Sequence, residues 1–148
     1  MKIVVQKVLS ASVEVEGNLI AKIDTGLLVF VGLKKGDDEK LFDWFINKIK
    51  NLRIFDDENG LMNKSVIDNN FEILLISQFT LYGDATKGNR PSFFEAMSSV
   101  DAKNLYEKFV LDFSNSYDKV KKGVFGAHMK ISLINDGPVT IVIEKNEN

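Results

Sequence analysis

The sequence predicts an α+β fold with two long helices packed on β sheet. The first thirty residues are strand-like, two later segments repeat apolar residues at helical spacing, and the chain closes on strand-like runs. At 148 residues, 45% hydrophobic and 27% charged, one folded domain over 1–148 with a sizeable core is expected.

Lys2–Val8 and Ala11–Val15 read as strands, and Gly17-Asn18 as the turn of a hairpin. Leu27–Val31 is an apolar run after Gly26, which suits a buried strand, and Gly32–Asp38 turns the chain. Leu41–Leu52 reads as a helix: Leu41, Phe45 and Ile49 share a face that Phe42 and Ile46 widen, with Asp37 or Asp38 as cap. Arg53–Phe55 is a short strand and Asp56–Gly60 a turn. Phe71–Thr80 is the clearest buried strand, followed by a polar surface loop over Tyr82–Arg90 and a short helix over Ser92–Met97. Asp101–Tyr117 is the second long helix, with Leu105, Phe109 and Phe113 at i, i+4 spacing. Gly123–Leu133 and Val139–Ile143 are the last strands, and residues 144–148 are expected to fray.

Composition narrows the chemistry. A net charge of −2 leaves no overall nucleic-acid footprint, so any such contact has to be local. The absence of cysteine removes disulfides and thiolate nucleophiles. One histidine and no cysteine argue against a zinc site, and no carboxylate run matches a metal-binding signature, so no metal or cofactor is expected. The N-terminus alternates like a strand rather than a signal sequence, and no apolar run is long enough to span a membrane. Cytoplasmic location follows by elimination.

Two segments stand out. In Asn135-Asp136-Gly137-Pro138-Val139-Thr140-Ile141, a proline, which cannot donate to a ladder, follows a glycine inside a strand-like run. X–Pro bonds are cis in only about 5–6% of cases, so the residues alone favour a trans bond at a bulge. Ser77-Gln78-Phe79-Thr80-Leu81 ends the most apolar strand. The Ser77 and Thr80 hydroxyls would need a neighbouring base to act as nucleophiles, and none is near in sequence; their other role is to hydrogen-bond backbone and shape a turn. Gln78 can orient a carbonyl or a sugar hydroxyl, and Phe79 can wall a pocket or fill the core. His128 is the single histidine, so any Ser-His-Asp assembly within one chain would have to use it; its alternative is a packed or surface residue without chemistry. Lys7, Lys87 and Arg90 can meet phosphates or be solvated, as can the cluster Lys119, Lys121, Lys122 and Lys130.

The runs "MKIVVQKVLSASVEVEG", "GLLVFVGL", "LRIFDDENGLMNKSV", "SQFTLYGD", "GNRPSF" and "NDGPVTI" occur in an order that resembles the D-aminoacyl-tRNA deacylase family over Met1 to about Ile143. The resemblance implies a compact layered β-β-α sandwich and a homodimer with active sites at the interface. It implies hydrolysis of the ester of D-aminoacyl-tRNA, and of glycine mischarged on tRNA(Ala), with no DNA or membrane partner. By position, Ser77, Gln78, Phe79 and Thr80 become the catalytic wall. Gly137 and Pro138 become a cis-peptide chiral filter inserted across the dimer interface, held by Asn135 and Asp136 and completed by Val139 and Thr140. Met129 falls in a pocket-lining segment. Lys7, Lys87 and Arg90 are candidate supporting or tRNA contacts. One departure matters: the family usually reads Gln-Arg-Val where this chain has Gln6-Lys7-Val8, and lysine lacks the planar five-donor fork of arginine. Two other classes stay open, a non-catalytic tRNA-binding or editing accessory domain and a structural homodimer whose two motifs only shape its interface.

Overall fold

A computed structural model describes residues 1–147. The sequence suggests two strands at the start, but Lys2–Val15 forms one strand, β1. A turn with positive φ at both Glu16 (51°) and Gly17 (78°) joins it to β2 (Asn18–Ile23), the geometry that suits a tight hairpin between twisted strands. One edge of β1 pairs with β3 (Gly26–Gly32) over Lys2–Val8 and with β2 over Ala11–Val15. The chain then passes through α1 (Phe42–Asn51) and a small hairpin, β4 (Phe55–Asp56) and β5 (Met62–Lys64). It re-enters the main sheet as β6 (Glu72–Ser77), parallel to β3. After α2 (Ser99–Ser116), β7 (Val120–Lys122) adds parallel to β6, and β8 (Lys130–Glu144) runs antiparallel along the other edge of β1.

Both faces of β3 and β6 are covered, which is why each reads as an unbroken apolar run rather than an alternation. On one face Leu27, Val29, Ile73 and Leu75 pack with Ile3 and Val5 against Phe42, Phe45 and Ile49 of α1 and Tyr106, Phe109 and Phe113 of α2. On the other, Leu28, Leu74 and Ile76 meet Val8, Ala11 and Val13 from the second half of β1. A register shift at Leu9 accompanies this change of layer, as expected of a bulge, which bends its strand. The result is the layered β-β-α arrangement, with the two helices on one side.

The helix starts follow from capping. Asp38 accepts from the Lys40 N–H at 2.9 Å and opens a 3-10 turn at Glu39–Leu41 that leads into α1. Asp37 is used elsewhere: it accepts from the Met1 ammonium at 2.7 Å and the Lys34 N–H at 2.8 Å. Ser98 caps α2 by accepting from the Asp101 N–H at 3.3 Å.

Several expected elements are corrected. The strand expected over Phe71–Thr80 stops at Ser77, because the chain tightens into a 3-10 turn at Phe79–Tyr82 that buries Tyr82. The expected surface loop therefore begins after Tyr82. Ser92–Met97 is not helical: bridges Asp84–Ser92 and Lys34–Ala96 hold its ends extended. Gly123–Met129 is turn and coil rather than strand, and β8 continues through the Gly137–Pro138 pair instead of stopping there. Three residues of the tail expected to fray have partners. Glu144 pairs opposite Lys2 in the sheet, the Lys145 N–H donates to the Met1 carbonyl at 3.0 Å, and Glu147 lies 2.7 Å from the Lys40 ammonium. Asn148 lies outside the described residues. Among the described residues no helix is long and apolar enough to cross a membrane.

Candidate active site

The Gln78 N–H donates to the Val31 carbonyl at 2.7 Å, extending the β3–β6 ladder by one bond. The chain then bends. Leu81 N–H reaches the Gln78 carbonyl at 3.3 Å and Gly83 N–H the Thr80 carbonyl at 2.9 Å. Phe79 and Thr80 hold the first two positions of this turn, where N–H groups have no acceptor within the turn. The Gln78 side-chain amide donates to the Thr80 hydroxyl, so Thr80 is tied to Gln78 rather than to a base.

A cleft of about 580 Å³ opens beside this turn. Ile76, Ser77, Gln78 and Phe79 form one wall; Phe93, Ala96 and Met97 form the rim; Ser99 and Ala102 come from α2; Phe125–Met129 and Ile131 close the far side. The Phe79 ring, 57% exposed, stands edge-on to Phe93 at 5.2 Å between centroids. Gly123 fixes the floor: a Cβ there would sit 2.7 Å from Met129 Sδ and 2.9 Å from Ile76 Cδ1. A larger residue would have to displace Met129 or Ile76, both of which line the cleft. The lining carries no carboxylate, lysine or arginine, and His128 is its one titratable side chain. Such a space is a mostly apolar pocket with a few polar groups at one side. Among the described residues no three His, Asp or Glu side chains cluster in a way that would hold a metal ion.

The second segment lies elsewhere in the chain. Gln6 pairs with Thr140 and Val8 with Asn135, so Lys7 alone faces the stretch Asp136, Gly137, Pro138 and Val139. β8 swells away from β1 at this point. The Gly137–Pro138 peptide is cis, as the resemblance implies and against the trans default. Gly137 has φ of +132°, and a Cβ on it would lie 2.8 Å from Val139 Cγ2. That backbone position therefore selects glycine. Lys7 is 8% exposed, with its ammonium 3.7 Å from the Asp136 carboxylate and 5.6 Å from the Phe55 ring centroid. The Gln6 amide donates to the Thr140 hydroxyl at 3.5 Å. Val139 packs against the helix-side core, while Gly137 and Pro138 are exposed.

Ser77, Gln78, Phe79, Met129 and His128 are thus gathered around one cleft. Asn135, Gly137, Pro138, Val139, Thr140 and Lys7 are gathered at the β8 swelling, and within one chain they do not line that cleft. Thr80 borders the first group through Gln78. Lys87 and Arg90 are exposed in the loop between Asp84 and Ser92, outside both groups. Sequence reasoning missed Phe93, Met97, Ala102 and Phe125 as lining residues. The glycines at 123 and 126 gave the available signal, since they mark a turn beside a close approach.

A model of the D-Tyr-tRNA(Tyr) deacylase family matches residues 4–144. The chain is 52% identical to a D-aminoacyl-tRNA deacylase of Thermosipho africanus over 147 residues, covering 99% of each. It is 50% identical to one of Clostridium tetani over the same length, again covering 99% of each. A solved structure described as a c-Myc DNA unwinding element binding protein is similar at a TM-score of 0.93 and 43% identity, over 99% of this chain and 100% of that one. Another, of a probable eukaryotic D-amino acid tRNA deacylase, shares the fold at a TM-score of 0.83 and 14% identity, over 96% and 97%.

Proposed function

The chain belongs to the D-aminoacyl-tRNA deacylase family, and from that premise we propose that it hydrolyses the ester joining a D-amino acid, or glycine mischarged on tRNA(Ala), to the 3′ end of tRNA. The observation that carries this reading is the mostly apolar cleft at the end of β6, walled on one side by Ser77, Gln78 and Phe79 where the chain enters the 3-10 turn. In this reading the Phe79 and Thr80 N–H groups, which have no acceptor within their turn, stabilise the developing oxyanion. Water attacks the ester carbonyl carbon, the resulting tetrahedral centre collapses, and the bond to the ribose oxygen breaks as that oxygen takes a proton. The substrate's own 2′-hydroxyl orients the water, and Gln78 with Thr80 positions the terminal nucleoside. This route asks nothing of His128 beyond lining the cleft.

Chirality is assigned to main chain. In this reading a Gly137 or Pro138 carbonyl meets the substrate's α-amino group, and an L side chain collides where a D side chain does not. A rigid wall that excludes the wrong enantiomer by a clash achieves selectivity without recognising the side chain. Since Gly137 and Pro138 do not line their own chain's cleft, the partner of a homodimer supplies them. The outer edge of β8 supports this assembly. It runs fifteen residues without a strand partner among the described residues, and the adjoining face of β8 exposes Ile134 at 57% and Val142 at 62%, a surface that calls for cover. The reading includes a cytoplasmic location, where the tRNA substrate resides. It includes no DNA partner, since a net charge of −2 lacks the basic footprint of a duplex binder.

Mixed dimers test the shared site. Gly137→Ala damages the filter and Ala127→Trp fills the cleft, so each homodimer should be inactive on D-Tyr-tRNA. Co-expressed, tagged heterodimers should recover one working site. Verified heterodimers with no activity would mean that cleft and filter are not contributed by different chains.

A further inference from the structure

We propose that Phe94 is a stacking ledge for an unpaired nucleotide of the RNA substrate, upstream of the terminal nucleoside that carries the ester. This inference rests on the deacylase reading and extends it from the reacting ester to the RNA strand leading into the cleft. Phe94 is 73% exposed, the most exposed aromatic ring among the described residues. The Lys35 ammonium lies over that ring, 3.6 Å from its centroid.

The ledge is built rather than loose. The Lys35 N–H donates to the Glu95 carbonyl at 3.0 Å, and Lys34 bridges to Ala96, so the segment is pinned to the end of β3. The neighbouring Phe93 lines the cleft and meets Phe79, so the ledge is one residue along the chain from the cleft rim. The loop carrying Lys87 and Arg90 is closed beside it by reciprocal bonds between Asp84 and Ser92 at 2.8 Å. Neither Lys87 nor Arg90 has a carboxylate partner among the described ion pairs, and nor does Lys35. The nearby acids are Asp84, which accepts from the Thr86 N–H, and the exposed Glu95.

An exposed aromatic face beside unpaired cations suits single-stranded RNA. Every base has a π face to stack, and its phosphate can meet a lysine or arginine. The 3′ end bearing an aminoacyl ester is unpaired, so its bases are free to do this. A second protein copy would cover the ring equally well but would leave it insensitive to the length of the RNA.

The test compares wild type, Phe94→Ala and Phe94→Trp on D-Tyr-tRNA and on the small ester 3′-O-D-tyrosyl-adenosine. It also measures equilibrium binding of an unacylated single-stranded RNA tetranucleotide and the dimer mass by sedimentation. With Phe94→Ala, KM for D-Tyr-tRNA should rise roughly fivefold or more, with kcat and all constants for the small ester within twofold. Tetranucleotide binding should weaken in parallel, Phe94→Trp should restore both, and the dimer should be unchanged. Equal shifts on both esters, a lost dimer, or unchanged KM and tetranucleotide binding would overturn the ledge. If wild type hydrolyses neither ester, the deacylase reading fails, and weaker tetranucleotide binding by Phe94→Ala still decides the ledge.

Discussion

The Lys7 ammonium lies 3.7 Å from the Asp136 carboxylate, across the place where β8 parts from β1. The lysine stem is buried and its partner is 42% exposed. A pair this open contributes less than about 1 kcal/mol to folding. Its importance is positional, because it tethers the residue just before Gly137. Lys7→Met keeps the buried stem while removing the charge, so urea unfolding should shift by less than about 1 kcal/mol. Discrimination between D-Tyr-tRNA and L-Tyr-tRNA should fall severalfold. Lys7→Arg should retain it, since a guanidinium can reach the same carboxylate with two donors.

Thr80 accepts from Gln78 and has no hydrogen bond to a carboxylate or imidazole among the described residues. A hydroxyl without a base is a poor nucleophile. Thr80→Ala should therefore keep kcat on D-Tyr-tRNA within about tenfold, as general positioning effects allow. Loss to background, with a trapped acyl-enzyme in wild type, would make Thr80 the nucleophile instead.

Three tyrosines give a pH signature. Burial raises the phenols of Tyr82, Tyr106 and Tyr117 above the ordinary 10.0, with Asp37 and Glu144 adding to the effect at Tyr82. The unfolded chain loses these protons near pH 10 and the folded chain holds them. Stability from this source is thus complete below pH 10 and is lost as pH rises beyond it. Two variants separate the phenols. Tyr106 donates to the Leu75 carbonyl at 3.2 Å, so Tyr106→Phe should cost about 1 kcal/mol at pH 7. The buried Tyr82 hydroxyl has no hydrogen-bond partner among the described residues, so Tyr82→Phe should be neutral or stabilising at pH 7 and should reduce the alkaline loss. Urea titrations at pH 7 and pH 11 read both effects.

The elements whose information is local were legible in the sequence. Phe45 and Ile49 announced α1, Phe109 and Phe113 announced α2, and the double-sided burial of β3 and β6 appeared as unbroken apolar runs. What escaped depends on distant partners. Phe79 was assigned to a strand by its apolar neighbours, but β6 ends at Ser77 and the chain turns over the end of β3. A short helix was expected over Ser92–Met97, yet bridges to Asp84 and Lys34 keep its ends extended. Lys145 and Glu147 sit in a polar tail whose partners, Met1 and Lys40, lie far away in sequence. Ser77–Phe79 at the cleft and the cis Gly137–Pro138 peptide were legible through family resemblance. Phe93 and Phe125 were not, because only the fold brings them to the same cleft.

A main-chain chiral filter on an ester hydrolase should show itself as a D-over-L preference that depends on Gly137. Its most direct measurement is release of labelled amino acid from D-Tyr-tRNA and L-Tyr-tRNA by purified wild type and Gly137→Ala. The φ of +132° at Gly137 and the 2.8 Å approach of Val139 mean that an added Cβ must displace this backbone. Wild type should deacylate the D ester rapidly and leave the L ester at the buffer rate. Gly137→Ala should remain folded by circular dichroism while losing most of the D activity. Equal rates on both esters in wild type, or an unchanged D rate and preference in a folded Gly137→Ala protein, would contradict the account.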